Sequence, residues 1–179
     1  LTPSRNWLDG IIGIKSGVAP GFWFDVFGGY KITSNNYFFV PSFAFGDEDY
    51  FDSACGMLNE IDTKQLLIGA NLKYSYQQLF EISLKGVYNN WTAEYSDKYP
   101  DTNLRGKDAK AWGMPEMEIT AGVTVRPIKN LSASLDYYLG TGREAKLGSQ
   151  DVKMDNINEL NLTGAYNFND TFGMYLKLN

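Results

Sequence analysis

The side chains best equipped for chemistry are carboxylates, and they gather in two places. Asp47, Glu48, Asp49 and Asp52 crowd the run 46–52, and oxygen ligands of this kind suit hard cations. Their spacing matches no calcium loop, so the run reads as a solvated acidic loop. Glu116 and Glu118 stand two apart, which on a strand puts both on one face, as an acid/base pair requires. No pocket is evident around them, and a ladder of charges is the simpler reading. The stretch 140–143 (GTGR) offers two glycines, but a phosphate cradle needs a strand before it and a helix after it. Here strands flank both sides. With no histidine, the chain lacks the commonest general base and metal ligand. The lone Cys55 has no internal disulfide partner. These residues point away from an enzyme, and to no metal or cofactor. Trp91, Trp112 and Tyr95 remain: rings that serve either as interfacial anchors or as stacking platforms for a small-molecule or glycan ligand at the long loops.

The elements that must position these groups are strands. Between residues 65 and 91 the even positions Leu66, Ile68, Ala70, Leu72, Tyr74 and Tyr76, then Phe80, Ile82, Leu84, Gly86 and Tyr88, carry no charge. The odd positions include Gln65, Asn71, Lys73, Ser75, Glu81, Ser83, Lys85 and Asn89. A period of two along both arms predicts a β-hairpin with one apolar and one wet face. Because the apolar parity is even on both arms, paired numbers must sum to an even value. That predicts a loop of three or five residues centred on Gln78, with Tyr76 opposite Phe80 and Asn71 opposite Lys85. The same argument centres the last turn on Asp170. Aromatics weight the ends of the apolar face and aliphatics its middle, the layout of strands that cross a bilayer beside a polar lumen.

Similar alternation predicts strands at 6–16, 22–32 and 37–45, the last weakened by Pro41, and at 114–125, 131–139, 160–168 and 172–178. About nine strands result: an all-β, antiparallel up-and-down meander forming part or all of a transmembrane β-barrel, one domain over 1–179. Turns are expected at 17–21 and 33–36, and long loops at 46–62, 92–113 and 140–155. From the second strand on, connections alternate short and long, as in outer-membrane barrels. The lumen side then holds Asp25, Lys31, Lys73, Glu81, Lys85, Glu116, Glu118, Asp136 and Lys177, nearly balanced in charge. Interfacial aromatics on the other face are Tyr30, Tyr74, Tyr76, Phe80, Tyr88, Tyr137, Tyr166, Phe168 and Phe172.

Composition sets the outer limits. Sixteen basic residues against 21 acidic give no footprint for nucleic acid. The longest uncharged run, 32–46, is too short and too polar for a spanning helix. A negative mean hydropathy is compatible with a membrane barrel, since only alternate strand residues meet lipid. A soluble lipocalin-like barrel, its apolar face turned inward on a ligand, is the alternative. Its exterior should be dense in Lys and Glu, whereas the polar face here is diluted with Gly, Ser, Thr and Ala.

The closing segment 160–179, LNLTGAYNFNDTFGMYLKLN, resembles the near-terminal hairpin of TonB-dependent outer-membrane receptors, with Asn169, Asp170 and Asn179 at the family's Asn/Asp positions. The resemblance implies the C-terminal barrel portion of a receptor in a bacterial outer membrane, with membrane lipid as its surroundings. It lacks the family's plug domain and its final aromatic-ended strand, which implies a fragment of a larger barrel.

Overall fold

The computed structural model describes residues 6–40, 57–99, 101–147, 150–169 and 171–179. Every helix or strand among them is a strand. In chain order these are β1 (Asn6–Ala19), β2 (Phe22–Val40), β3 (Met57–Tyr76), β4 (Phe80–Tyr95), β5 (Asp108–Ala109), β6 (Met117–Ile128), β7 (Leu131–Thr141), β8 (Glu144–Leu147), β9 (Gln150–Lys153), β10 (Ile157–Asn167) and β11 (Gly173–Leu178). One antiparallel meander runs β1-β2-β3-β4-β6-β7-β10-β11, with β5 added on β4. A separate two-stranded ribbon, β8-β9, rises from the β7–β10 connection. Among the described residues no pairing joins β1 to β11, so these are the edges of an open sheet.

The central hairpin has the register that parity demands. Tyr76 pairs with Phe80, Leu72 with Leu84 and Asn71 with Lys85. Its three-residue turn holds Gln77 and Gln78 in the left-handed region (φ 45° and 61°) and closes with Leu79 N–H donating to the Tyr76 carbonyl at 2.8 Å. In the last hairpin Asn167 pairs with Gly173, and Phe168 N–H donates to the Phe172 carbonyl at 2.9 Å, which centres the turn on 170. Asp170 itself lies outside the described residues.

Among the described residues nine strands form the sheet, but one is not where alternation puts it. The expected turn at 33–36 is absent: β2 continues through it to Val40. Opposite β3 the register moves from Thr33↔Thr63 to Asn36↔Ile61, so one extra residue is absorbed in a β-bulge. Asn35 takes φ 55° there and donates its backbone N–H to Asp62 Oδ1 at 2.8 Å. A bulge changes the phase of alternation as a turn does, and sequence periodicity alone does not distinguish them. Strands also reach further than expected. Residues 57–62 open β3 and 92–95 close β4, while β1 runs to Ala19, leaving Pro20 and Gly21 (φ 78°) as its turn. The remainder of the expected third strand, the acidic run 46–52 and Cys55 lie outside the described residues.

The hairpins step past one another. The row of direct partners Tyr76, Phe80, Val125, Ala133, Gly164 and Leu176 crosses six strands. It lies two residues from the centre of the β3–β4 turn, about four from that of β6–β7, and six from that of β10–β11. The recession is about one residue per strand. With about 3.3 Å of rise per residue and about 4.8 Å between strands, level turns incline the strands by roughly 35°.

Burial runs against the usual rule. On β4, Ile82, Leu84 and Tyr88 of the apolar face are exposed, while Asn89 of the polar face is only 1% exposed. Among the described residues Ile61, Tyr95, Tyr99 and Trp112 are the buried apolar ones. They sit at the long-loop end, where residues 96–99 and 101–116 fold back on β3 and β4.

Candidate functional site

Because directly paired residues share a face, the register assembles the polar wall row by row. Lys15, Asp25, Asn71, Lys85, Thr120, Tyr138 and Glu159 form one row across seven strands. Lys73 lies in the next row with Ser83, Gly122 and Asp136. Glu81 lies in the row after that, which runs through Thr124, Ser134 and Thr163 to Lys177. Lys31 pairs with Asp9 and Gln65, and Glu118 with Val87, on the same face. Eight of the nine charges expected on one wall therefore stand on one face of the sheet. Glu116 does not stand in a strand: it precedes β6, in the loop. The carboxylates of Glu116 and Glu118 thus belong to different surroundings, and no acid/base pair is built from adjacent strand positions.

The wall is held by neutral and charge-assisted hydrogen bonds. Lys73 Nζ lies 2.9 Å from Glu81 Oε1, and Asn71 Nδ2 donates to Asp25 Oδ2 at 3.1 Å. Lys85 Nζ sits 5.7 Å above the centre of the Phe27 ring, within cation–π range. Toward the loop end, Gln65 Nε2 donates to Asn89 Oδ1 and Asn89 Nδ2 to Glu118 Oε1, both at 2.9 Å. Tyr138 O–H donates to Glu118 Oε2 at 2.9 Å. This belt crosses four strands. A buried amide such as Asn89 is tolerable only because its donors and acceptor find partners. Its polar parity was legible in the sequence, but the partners come from strands 24 to 29 residues away.

The opposite face carries the expected aromatics. At the turn end Tyr76 and Phe80 rings are 5.7 Å apart, Tyr74 and Phe80 5.8 Å, Tyr166 and Phe168 5.0 Å, and Phe168 and Phe172 5.4 Å. Tyr30 pairs with Leu66, Tyr88 with Ile68, and Tyr137 with Ala121, all on that face.

Neither a protein-family model nor a curated protein matches the chain. Its chemistry therefore has to be read from its own residues.

Tyr95 and Trp112 are neither anchors nor stacking platforms. They are 5% and 6% exposed, and form the core of a loop cap with Ile61 and Tyr99. Ile61 and Tyr95 pair directly and share the parity of the polar wall, so the cap overhangs that wall. Trp112 Nε1 donates to Asp151 Oδ1 at 2.8 Å, and Lys110 bridges Glu144 and Asp151, tying the cap to the β8-β9 ribbon. Burial pushes the Tyr99 phenol above its ordinary range, and the hydrogen bond to Glu144 raises the Lys110 ammonium. Trp91 alone of the three rings remains partly open. It donates Nε1 to the Pro115 carbonyl at 3.0 Å and lines a cavity of about 210 Å³ with Met114, Glu116, Gly142 and Glu144. Among the described residues no group of three or more carboxylate or thiol side chains is placed to hold a metal ion.

Proposed function

We propose that the chain forms wall of a bacterial outer-membrane β-barrel, of the receptor or transporter kind, with its apolar face on lipid and its polar face on a lumen that passes small solutes. The observation that carries this reading is the inverted burial: large apolar side chains such as Leu84 (44% exposed) and Tyr88 (54% exposed) lie open, while Thr63 and Asn89 on the opposite face are buried and Asp25, Lys73, Glu81 and Glu118 there are half-buried. In water an exposed apolar band of this extent is an unmet cost. In lipid it is the required surface.

Dimensions support it. On β3 the apolar face holds no charge from Leu66 to Tyr76, and charges return at Lys64, Asp62 and Glu60, with Lys64 3.7 Å from Glu94. Ten residue steps of about 3.3 Å make about 33 Å along the strand, or about 27 Å in height at an inclination of roughly 35°. Outer-membrane barrels carry an apolar band of about 25 Å. Short turns at one end, a folded cap at the other, and aromatics gathered at the turns fit the same orientation.

The test is a pair of substitutions one residue apart. Leu84→Lys puts an ammonium in the middle of the band, at about 2–4 kcal/mol, and Ser83→Lys puts one on the wet wall at much less. Leu84→Lys is expected to abolish the folded, faster- or slower-migrating species on unboiled gels after refolding with lipid, and Ser83→Lys to retain it. Equal behaviour of the two, or a parent chain monodisperse at high concentration in plain buffer, overturns the membrane reading in favour of a soluble binding barrel.

A further inference from the structure

The polar wall has a hollow in which, among the described residues, one carboxylate oxygen lacks a hydrogen-bond partner and one ammonium lacks an ion pair. Lys15, Trp23, Asp25, Asn71 and Lys73, from β1, β2 and β3, line a cavity of about 220 Å³. Asp25 Oδ2 accepts from Asn71, but Oδ1 is buried and has no hydrogen-bond partner among the described residues. A desolvated carboxylate oxygen left in this way is costly, and a charged donor offsets the cost better than a neutral one. Lys73 is already engaged by Glu81 at 2.9 Å, whereas Lys15, the direct strand partner of Asp25, makes no ion pair among the described residues. The indole of Trp23 is 37% exposed at the side of the hollow. Its strand partner across β1 is Gly17, which brings no side chain over the ring.

We propose that this hollow is a binding station for a small zwitterionic solute of amino-acid size, an inference that rests on the polar face being the solute-facing wall. The solute's ammonium pairs with the Asp25 carboxylate, its carboxylate accepts from Lys15, and its side chain lies on the Trp23 ring. Each alternative leaves a charge unmet. A simple anion would pair with Lys15 and leave Asp25 Oδ1 bare, a simple amine would do the reverse, and a neutral sugar would offer hydroxyls to both but cancel neither charge.

The experiment uses the 179-residue chain labelled with 5-fluorotryptophan and refolded in detergent, its Trp23 signal in the ¹⁹F NMR spectrum assigned by Trp23→Phe. L-Leucine, acetate, ethylamine and D-glucose are the probes. L-Leucine is expected to shift the Trp23 signal saturably. Asp25→Asn and Lys15→Gln, which keep shape and remove charge, should each weaken that binding about tenfold or more. Acetate and ethylamine should bind more weakly by a similar factor. A leucine titration without a saturable shift overturns the proposal, as does unchanged affinity in Asp25→Asn, or D-glucose binding as well as leucine. Folding is read separately from the gel shift and the strand signal in circular dichroism, and the titration can be run in buffer as well as in detergent. Failure of the membrane reading and failure of the station are therefore separate results.

Discussion

A methyl group added at Gly69 would test how tightly the polar wall is filled. A Cβ there would come within 2.7 Å of Phe27 Cε2, nearer still to Cζ, and within 3.0 Å of the Gly86 carbonyl oxygen. Phe27 is the direct partner of Gly69 on β2, and its ring lies across the space the glycine leaves, beneath the Lys85 ammonium. The ring cannot stay in place, and the carbonyl belongs to a paired strand. Gly69→Ala is therefore expected to cost about 1–3 kcal/mol, the range for overpacking a filled site. The control is Gly86→Ala on the neighbouring strand and the opposite face, where a Cβ meets nothing within 4 Å. That change should lie within about 0.5 kcal/mol of neutral, or stabilise by restricting the unfolded chain. Denaturant unfolding of the refolded protein in detergent gives both values. The double variant Gly69→Ala/Phe27→Leu should recover at least part of the loss, because the shorter side chain vacates the overlap. Gly69→Ala within 0.5 kcal/mol of wild type, or strict additivity with Phe27→Leu, would refute the packing described for this face.

Asn89→Leu should cost about 1–3 kcal/mol in the same unfolding assay, since it strips partners from Gln65 and Glu118 in the belt, while Asn90→Leu on the apolar face should be near neutral; equal costs would count against the belt. The loop cap should loosen in alkali. Tyr99 and Lys110 both have raised folded-state values, so the stability each contributes is fully present below its unfolded value, near 10 for Tyr99 and 10.5 for Lys110, and is lost as pH rises through the folded one. Limited proteolysis at Arg105 and Lys107 should therefore be flat from about pH 6 to 9 and accelerate above about pH 10. Acceleration already at neutral pH would contradict the assignment.

Strand positions and faces were legible because alternation is a local property: Leu66 to Tyr88 announces its own two sides and, through parity, its turn. The bulge at Asn35 was not, since its cause is the Asp62 carboxylate on another strand. Nor was the cap. Tyr95 and Trp112 carry the same residue types as membrane anchors, and only the fold-back of 96–99 and 101–116 makes them a core. The hollow at Asp25 combines residues from 15 to 73, each of which reads alone as an ordinary wall residue.

The bulge also bears on how the sheet finds its alignment. A slip of one residue between β2 and β3 is forbidden by amphipathicity, but a slip of two restores every side chain to its own face. Alternation therefore leaves a ladder of nearly degenerate pairings, each a trap during assembly. Asn35 breaks that degeneracy. Its left-handed backbone takes up the extra residue and its N–H meets the Asp62 carboxylate, where a slip of two would bring Lys64 or the longer Glu60 instead. A slip of two would keep the faces but strand this amide and carboxylate apart. The longest strand pair in the sheet thus carries a single-position latch near one end, and zipping from that point toward Phe22 and Tyr74 fixes the register of everything between.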